Sequence, residues 1–297
     1  MDASTEAVCY LCLDGEVNEN SQPLRRDCAC RGADAGFVHL SCLAKYAAAK
    51  SKQARDTNAF RDPWIVCPGC HQYYQNELAV DIANEFVPFA RRQYPDNTQM
   101  KVEALHLKLC ALDSMFNMLT PVQMIELGVT ANVLLSLIDR MKNDAPLTRR
   151  YSEFESYAYN VHGRIALNEG SEESARRAVA HFEKALEINE AIGKHGVAIG
   201  KSNIAIAKSI VEGSNNSNIE EVLKANEELY EVRVAELGEE SGYTIRAGEI
   251  YAFHLRKANR GDEARDLLTK LLAKSKQVLG LHHNTTKSVE AALEKCR

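Results

Sequence analysis

Eight side chains with metal-binding chemistry stand close together near the start of the chain: Cys9, Cys12, Cys28, Cys30, His39, Cys42, Cys67 and Cys70. Their spacing is C-x2-C, fifteen residues, C-x-C, eight residues, H-x2-C, twenty-four residues, C-x2-C. Thiolate and imidazole suit zinc, which takes four tetrahedral ligands at about 2.0–2.3 Å. A C-x2-C turn can present two sulfurs to one ion, with backbone amides of the tight turn aimed at them. Eight ligands make two closed four-coordinate sites, and closed sites are structural, not hydrolytic. Two structural Zn2+ ions are therefore expected.

Two other uses of the cysteines fit less well. The N-terminal "MDASTEAV" has no basic or strongly apolar region of a signal peptide. A cytoplasmic location, or a nuclear one, is expected, and such reducing compartments disfavour disulfides. Seven clustered cysteines would also leave an odd thiol. A thioredoxin-like redox centre needs a βαβ context that the sequence lacks.

The bulk numbers narrow the function further. The chain has 297 residues, 45% hydrophobic and 26% charged, with a formal net charge of −5. That balance gives no overall pull toward nucleic acid, so no nucleic-acid partner is expected. Basic pairs such as Arg25-Arg26 and Arg149-Arg150 have no interleaved aromatics and read as solvated faces. No apolar run approaches the roughly 20 residues of a membrane span. The longest candidate, "ANVLLSLI", is broken by Asn132 and Ser136, so no membrane span is expected.

The elements that must carry these ligands change character near residue 75. Residues 1–75 are cysteine-rich and poor in periodic apolar runs, too poor to hold a core unaided. From about residue 78 the apolar positions recur every three or four residues, helix after helix. Thr120, Pro121 and Gln123 read as N-cap, first helical residue and capping box. Gly170 with Ser171, and Gly261 with Asp262, read as a helix stop followed by a new N-cap. "GSNNSN", residues 213–218, reads as a loop. Cys110 and Cys296 fall in helical patterns as packing residues. The adjacent pair His282-His283 sits at a helix–helix turn and reads as no metal site, since neighbouring side chains point apart.

A repeat runs through the C-terminal half. "AVAHFEKALEINEAIG", "VLKANEELYEVRVAELG" and "ARDLLTKLLAKSKQVLG" each end in an aliphatic residue and glycine: Gly193, Gly238 and Gly280. These glycines are 45 and 42 residues apart, and a shorter helix follows each one. A two-helix unit with that period is the signature of an α-solenoid. "SEFESYAYNVHGRIALNEG" looks like the second helix of a preceding unit. The helical segment 78–145 cannot be placed in the same register.

The ligand order, four Cys, one His, three Cys, resembles the RING-CH domain, a RING variant. "CACRGADAGFVHLSCL" matches that family's central segment in character, and the resemblance covers residues 9–75. It implies cross-braced binding, with Cys9, Cys12, His39 and Cys42 on one ion and Cys28, Cys30, Cys67 and Cys70 on the other. It also implies a ubiquitin ligase, which holds a charged ubiquitin-conjugating enzyme in a reactive geometry without bonding to ubiquitin itself. Leu11, Tyr46 and Pro68 match the family's docking positions for that enzyme. Two departures stand out. The gap from Cys30 to His39 is eight residues where seven is common, and His71 follows Cys70 where active RINGs often carry a basic residue.

Two alternatives stay open. One is a PHD-like reader of histone tails, which shares the ligand order but usually has an aromatic where Ile65 stands. The other is a scaffold that binds partners without activating transfer.

The helix pairs from about residue 150 resemble tetratricopeptide repeats of the kinesin-light-chain kind. That resemblance implies a concave groove that binds a protein or peptide. Asn189, Asn226, Arg233 and Lys274, polar residues on the first helices, are the candidate contacts. The expected fold is mainly α: a small two-zinc, cross-braced, RING-like domain at 1–75, a helical segment at 78–145 and a tetratricopeptide-like solenoid at 150–297.

Overall fold

The computed structural model describes residues 7–15, 23–28, 30, 36–193, 196–212, 216–281 and 283–296. The chain divides into two compact units, Met1–Phe154 and Glu155–Arg297.

In the first unit, two short strands, β1 (Leu24–Arg25) and β2 (Val38–His39), pair antiparallel with Leu24 opposite His39 and Arg25 opposite Val38. Helix α1 (Leu40–Lys52) follows directly, and the single-turn α2 (Thr57–Arg61) is capped by Asp56, which accepts from the Ala59 amide. Three longer helices complete the unit: α3 (Asn76–Gln93), α4 (Thr98–Ser114) and α5 (Pro121–Asp144), each packed on its neighbour. The capping box at Thr120 and Gln123 forms as the sequence indicates.

The core of this unit runs across the expected boundary at residue 75. Phe60 and Trp64, from the cysteine-rich segment, pack on Phe86 and Phe89 of α3, with the Trp64 and Phe86 rings stacked 4.8 Å apart. Buried aromatic pairs of this kind add roughly 0.5–1.5 kcal/mol each beyond their area. Trp64 Nε1 donates to Ser51 Oγ at 2.7 Å, and Ser51 Oγ donates to the Phe60 carbonyl at 2.8 Å. The one indole of the chain is thus satisfied inside the core.

A buried charge ties α2 and α4 to helix α6 (Arg149–Asn168) at that helix's first turn. Glu103 is fully buried and accepts two hydrogen bonds from Arg150, at 2.6 and 2.9 Å, while Arg61 lies 3.1 Å away. Desolvation lowers the Arg61 pKa, but the Glu103 carboxylate opposes that shift.

One expectation about apolar content needs correction. Among the described residues, α5 is the one helix long and apolar enough to cross a membrane. Asn132 and Ser136 interrupt the run without making the helix polar. Length and composition carry no more than this: Leu127, Ala131, Leu134 and Ile138 are buried within the protein, whereas Val122, Ile125 and Val129 are exposed.

The second unit is helical throughout its described residues. After α6 come α7 (Glu172–Ile192), α8 (Val197–Val211), α9 (Asn216–Leu237), α10 (Gly242–Lys257), α11 (Gly261–Val278) and α12 (Asn284–Glu294). From α7 onward each helix packs on the next, which is the nearest-neighbour pattern of a solenoid. Long and short helices alternate: 21, 15, 22, 16, 18 and 11 residues. The repeat glycines 193, 238 and 280 all have positive φ, at 67°, 77° and 89°, which is why the sequence needs glycine there.

Three local readings shift. Asn259 takes the left-handed conformation after α10, at φ 59°, so Gly261 becomes the first residue of α11 and Asp262 lies in its first turn. Asparagine tolerates that region better than other side chains. α9 begins at Asn216, so the second half of "GSNNSN" is helical, and residues 213–215 lie outside the described residues. His283 caps α12, accepting from the Thr285 amide at 3.1 Å, while His282 lies outside the described residues.

Candidate metal centre

The two C-x2-C turns have the same backbone. In the first, the Cys9 amide donates to Asp14 O at 2.9 Å and the Leu13 amide to Cys9 O at 2.8 Å. In the second, the Cys67 amide donates to Gln72 O and the His71 amide to Cys67 O, both at 2.9 Å. The residue one past each second cysteine closes the turn with positive φ: Leu13 at 66° and His71 at 57°. A non-glycine residue in that region costs about 1–2 kcal/mol, and such strain persists where the surroundings impose it.

The remaining ligands come from β2, α1 and the segment around Cys28 and Cys30. β2 delivers His39, which is also the N-cap residue of α1, and Cys42 sits on the first turn. His39 Nδ1 lies 3.4 Å from Cys12 Sγ and 3.9 Å from Cys42 Sγ. Its Nε2 is 3.1 Å from Gly15 O, a partner that assigns the proton to Nε2 and leaves Nδ1 free to ligate. Gly36, at φ 83°, is needed for closeness: a Cβ there would come 2.9 Å from Cys30 Cβ and 3.0 Å from Cys28 Sγ.

The eight donors fall into two groups. Cys9, Cys12, His39 and Cys42 form one, and Cys28, Cys30, Cys67 and Cys70 form the other, each with its ligand atoms within 4.8 Å of one another. The groups interleave along the chain: the first and third ligand pairs share one, the second and fourth the other. All nine cysteines are free thiols.

The thiols pull each other's ionisation apart. Burial would raise Cys9, but the His39, Cys12 and Leu11 amides outweigh it and hold it at about 7. The Asp14 amide favours a Cys12 thiolate, yet burial and the Cys9 and Cys42 thiols push Cys12 up to about 12. In the second group, burial and neighbouring sulfurs push Cys28 and Cys30 up. Burial opposes ionisation of Cys70 too, but the Gln72 amide and the neighbouring thiols lower it. Four sulfurs this close cannot all ionise beside one another without a cation. A divalent ion removes the conflict, since a coordinated thiol is deprotonated outright. The donor set fits such an ion on both counts, geometry and charge.

The expected docking residues lie at this centre. Leu11 is inside the first turn and Pro68 inside the second, both partly exposed. Tyr46 is on α1 and partly exposed, with the Lys50 ammonium 5.9 Å from its ring centre. The sequence reading passed over Leu13 and Tyr73, which are 75% and 67% exposed. Each is next to one of the turns, and the position just after C-x2-C could have flagged Leu13. Trp64, the neighbour of Ile65, is a core residue.

The expected groove residues divide. Asn189 and Asn226 are buried. Asn189 fills the space left by Gly196, where a Cβ would lie 2.0 Å from its side-chain nitrogen. Asn226 donates to Val222 O at 2.7 Å and accepts from Ser202 Oγ at 2.9 Å, so its amide serves the packing of α8 on α9. Arg233 lies over the Tyr243 ring at 5.8 Å, and Lys274 is paired with Glu239.

Interleaved four-donor groups of this kind define the class of cross-braced two-metal fingers. Within that class, residues 9–70 match the model of the RING-variant domain. No curated protein matches the chain. Solved structures similar to it include BtubC (BKLC) from P. vanneervenii, with 15% identity and a TM-score of 0.48, covering 74% of this chain and 89% of that one. A Podosopora anserina chain of nearly identical TPR-like repeats, named for a kinesin light chain, has 13% identity and a TM-score of 0.38 over 80% of this chain and 95% of that one.

Proposed function

We propose that the protein is a RING-type ubiquitin ligase whose cysteine-rich segment binds two Zn2+ ions and docks a charged ubiquitin-conjugating enzyme. The observation that carries this reading is the interleaving of the two four-donor groups within a segment matching the RING-variant domain. Cys9, Cys12, His39 and Cys42 hold one ion, and Cys28, Cys30, Cys67 and Cys70 the other. Zinc supplies structure here: it fixes the two turns and so the exposed residues on them. Leu11, Tyr46 and Pro68 then form the docking surface. The transfer itself is catalysis by orientation, with the thioester held for attack by an incoming lysine.

Residues 1–75 act as the zinc module, 78–145 as its helical support, and 150–297 as the array that binds the substrate or another partner protein, in the cytoplasm or nucleus. Tethering that partner to the zinc module raises its effective concentration beside the conjugating enzyme.

A scaffold reading is favoured by one residue. Position 71, after Cys70, carries an exposed histidine in place of the usual lysine or arginine. Autoubiquitination of the full chain with a panel of conjugating enzymes decides between the two. Ligase activity that falls in Leu11→Ala and Pro68→Ala, with zinc retained, supports the proposal. Binding of conjugating enzymes with no acceleration of ubiquitin discharge favours the scaffold. No binding to any of them, with capture of histone-tail peptides, overturns both in favour of a reader.

A further inference from the structure

Helix α5 is apolar on two faces. Leu127, Leu134 and Ile138 are buried within its own unit, where α4 packs on the helix. On the outer face Val122, Ile125 and Val129 are 74%, 69% and 54% exposed, and Met118, just before the helix, is 53% exposed. The helical spacing of three and then four residues aligns Val122, Ile125 and Val129 in one stripe. Single exposed apolar residues are ordinary, whereas a contiguous stripe marks a contact surface. Farther along the helix the same stripe turns polar, at exposed Asn132, Ser136 and Asp139.

Charge decides what fits this stripe. Between Lys108 and Arg140 the sequence holds no lysine or arginine. Residues 121–138 carry one charged side chain, Glu126, and Lys108 pairs with it. A charged partner finds no counter-charge on the stripe, and an anionic lipid surface finds no cation. An uncharged stripe meets a second copy of itself without like-charge repulsion. Three or four side chains per copy fall well short of the ~20–30 residues a side of a standard interface, so the contact is a transient one. Its direction follows from where the apolar half ends. Parallel pairing would draw Asn132 and Ser136 into the seam against their own copies. Antiparallel pairing about Ile125 sets Val122 against Val129 of the second copy and leaves Ser136 and Asp139 outside.

We propose that α5 is a self-association surface: two copies of the chain pair antiparallel through Val122, Ile125 and Val129, with Ile125 at the two-fold axis. Such an isologous contact uses the same patch on both copies and closes at the dimer. It stands independently of the zinc and ligase readings.

The test uses the full chain in sedimentation equilibrium. The wild-type mass should climb from the 33.0 kDa of one chain toward twice that as concentration rises. Ile125→Glu and Ile125→Lys each set like charges face to face at the axis, and each should weaken association about tenfold or more. Ile125 is exposed, so neither variant should alter the emission of the buried Trp64. An equimolar mixture of the two variants should dimerise more tightly than either alone, because opposite charges then meet. That recovery separates self-pairing from a loss of fold. A benzophenone photo-crosslinker at position 129 should mark residues around 122 of the other chain. A wild type that stays monomeric throughout, a mixture no tighter than its parts, or crosslinks from position 129 to position 129 overturns the proposal. Binding to phosphatidylcholine vesicles that Ile125→Glu abolishes, with no dimer in solution, assigns the stripe to a membrane instead.

Discussion

The first unit concentrates its chemistry, while the second distributes its architecture. In residues 7–75 eight donor atoms and two strained turns, closed by Leu13 and His71, determine the arrangement. In the repeats the same small device recurs at helix crossings. A Cβ on Gly163 of α6 would come 2.3 Å from Phe182, one on Gly248 of α10 would come 2.7 Å from Leu271, and Gly200 of α8 faces Leu186 at 3.2 Å. Closed metal sites fail all at once when a ligand goes. A stack of similar interfaces fails by increments, because its stability is close to a sum over neighbours.

Metal removal should give the largest effect. Structural zinc contributes on the order of 10–16 kcal/mol of apparent binding free energy in small domains. Chelation, or Cys67→Ser, should therefore make residues 7–39 sensitive to proteolysis. Trp64 should stay buried, since its stacking on Phe86 and Phe89 involves no metal ligand. The chain has one tryptophan, so its fluorescence reads this directly. A shift to solvent-exposed emission on chelation would show that the aromatic core depends on the metal.

Next comes the buried charge of the first unit. Glu103→Ala leaves Arg61 and Arg150 without their carboxylate and should cost about 3–5 kcal/mol in thermal or urea unfolding of that unit. A loss under 1 kcal/mol would mean that water replaces Glu103 without penalty.

Smaller effects belong to the repeats. Gly248→Ala forces a methyl against Leu271 and Tyr230 and should cost roughly 1–3 kcal/mol. Gly280→Ala meets nothing within 4 Å but imposes a side chain on φ 89°, so about 1 kcal/mol is expected. Equal losses for the two would remove the distinction between a glycine needed for space and one needed for conformation.

The two four-residue donor groups were legible because ligand chemistry tolerates few residue types and short fixed spacings. The repeat was legible because left-handed glycine marks each helix end. Contacts between distant residues were not. Glu103 finds Arg61 and Arg150 from positions 42 and 47 residues away, and no periodicity encodes that choice. The packing of Phe60 and Trp64 on α3 was hidden for the same reason. Asn189 and Asn226 were read as groove residues from their polarity. The structure buries them because Gly196 leaves room for one and Ser202 offers a hydrogen bond to the other.

The central claim is that two interleaved closed sites each hold a zinc ion. Native mass spectrometry of the full chain measures this most directly, with cysteine-to-serine variants of each group alongside. The account predicts two zinc ions on the wild type, with the second group's ion lost in Cys67→Ser and the first group's in Cys12→Ser. One zinc or none on the folded wild-type chain would contradict it.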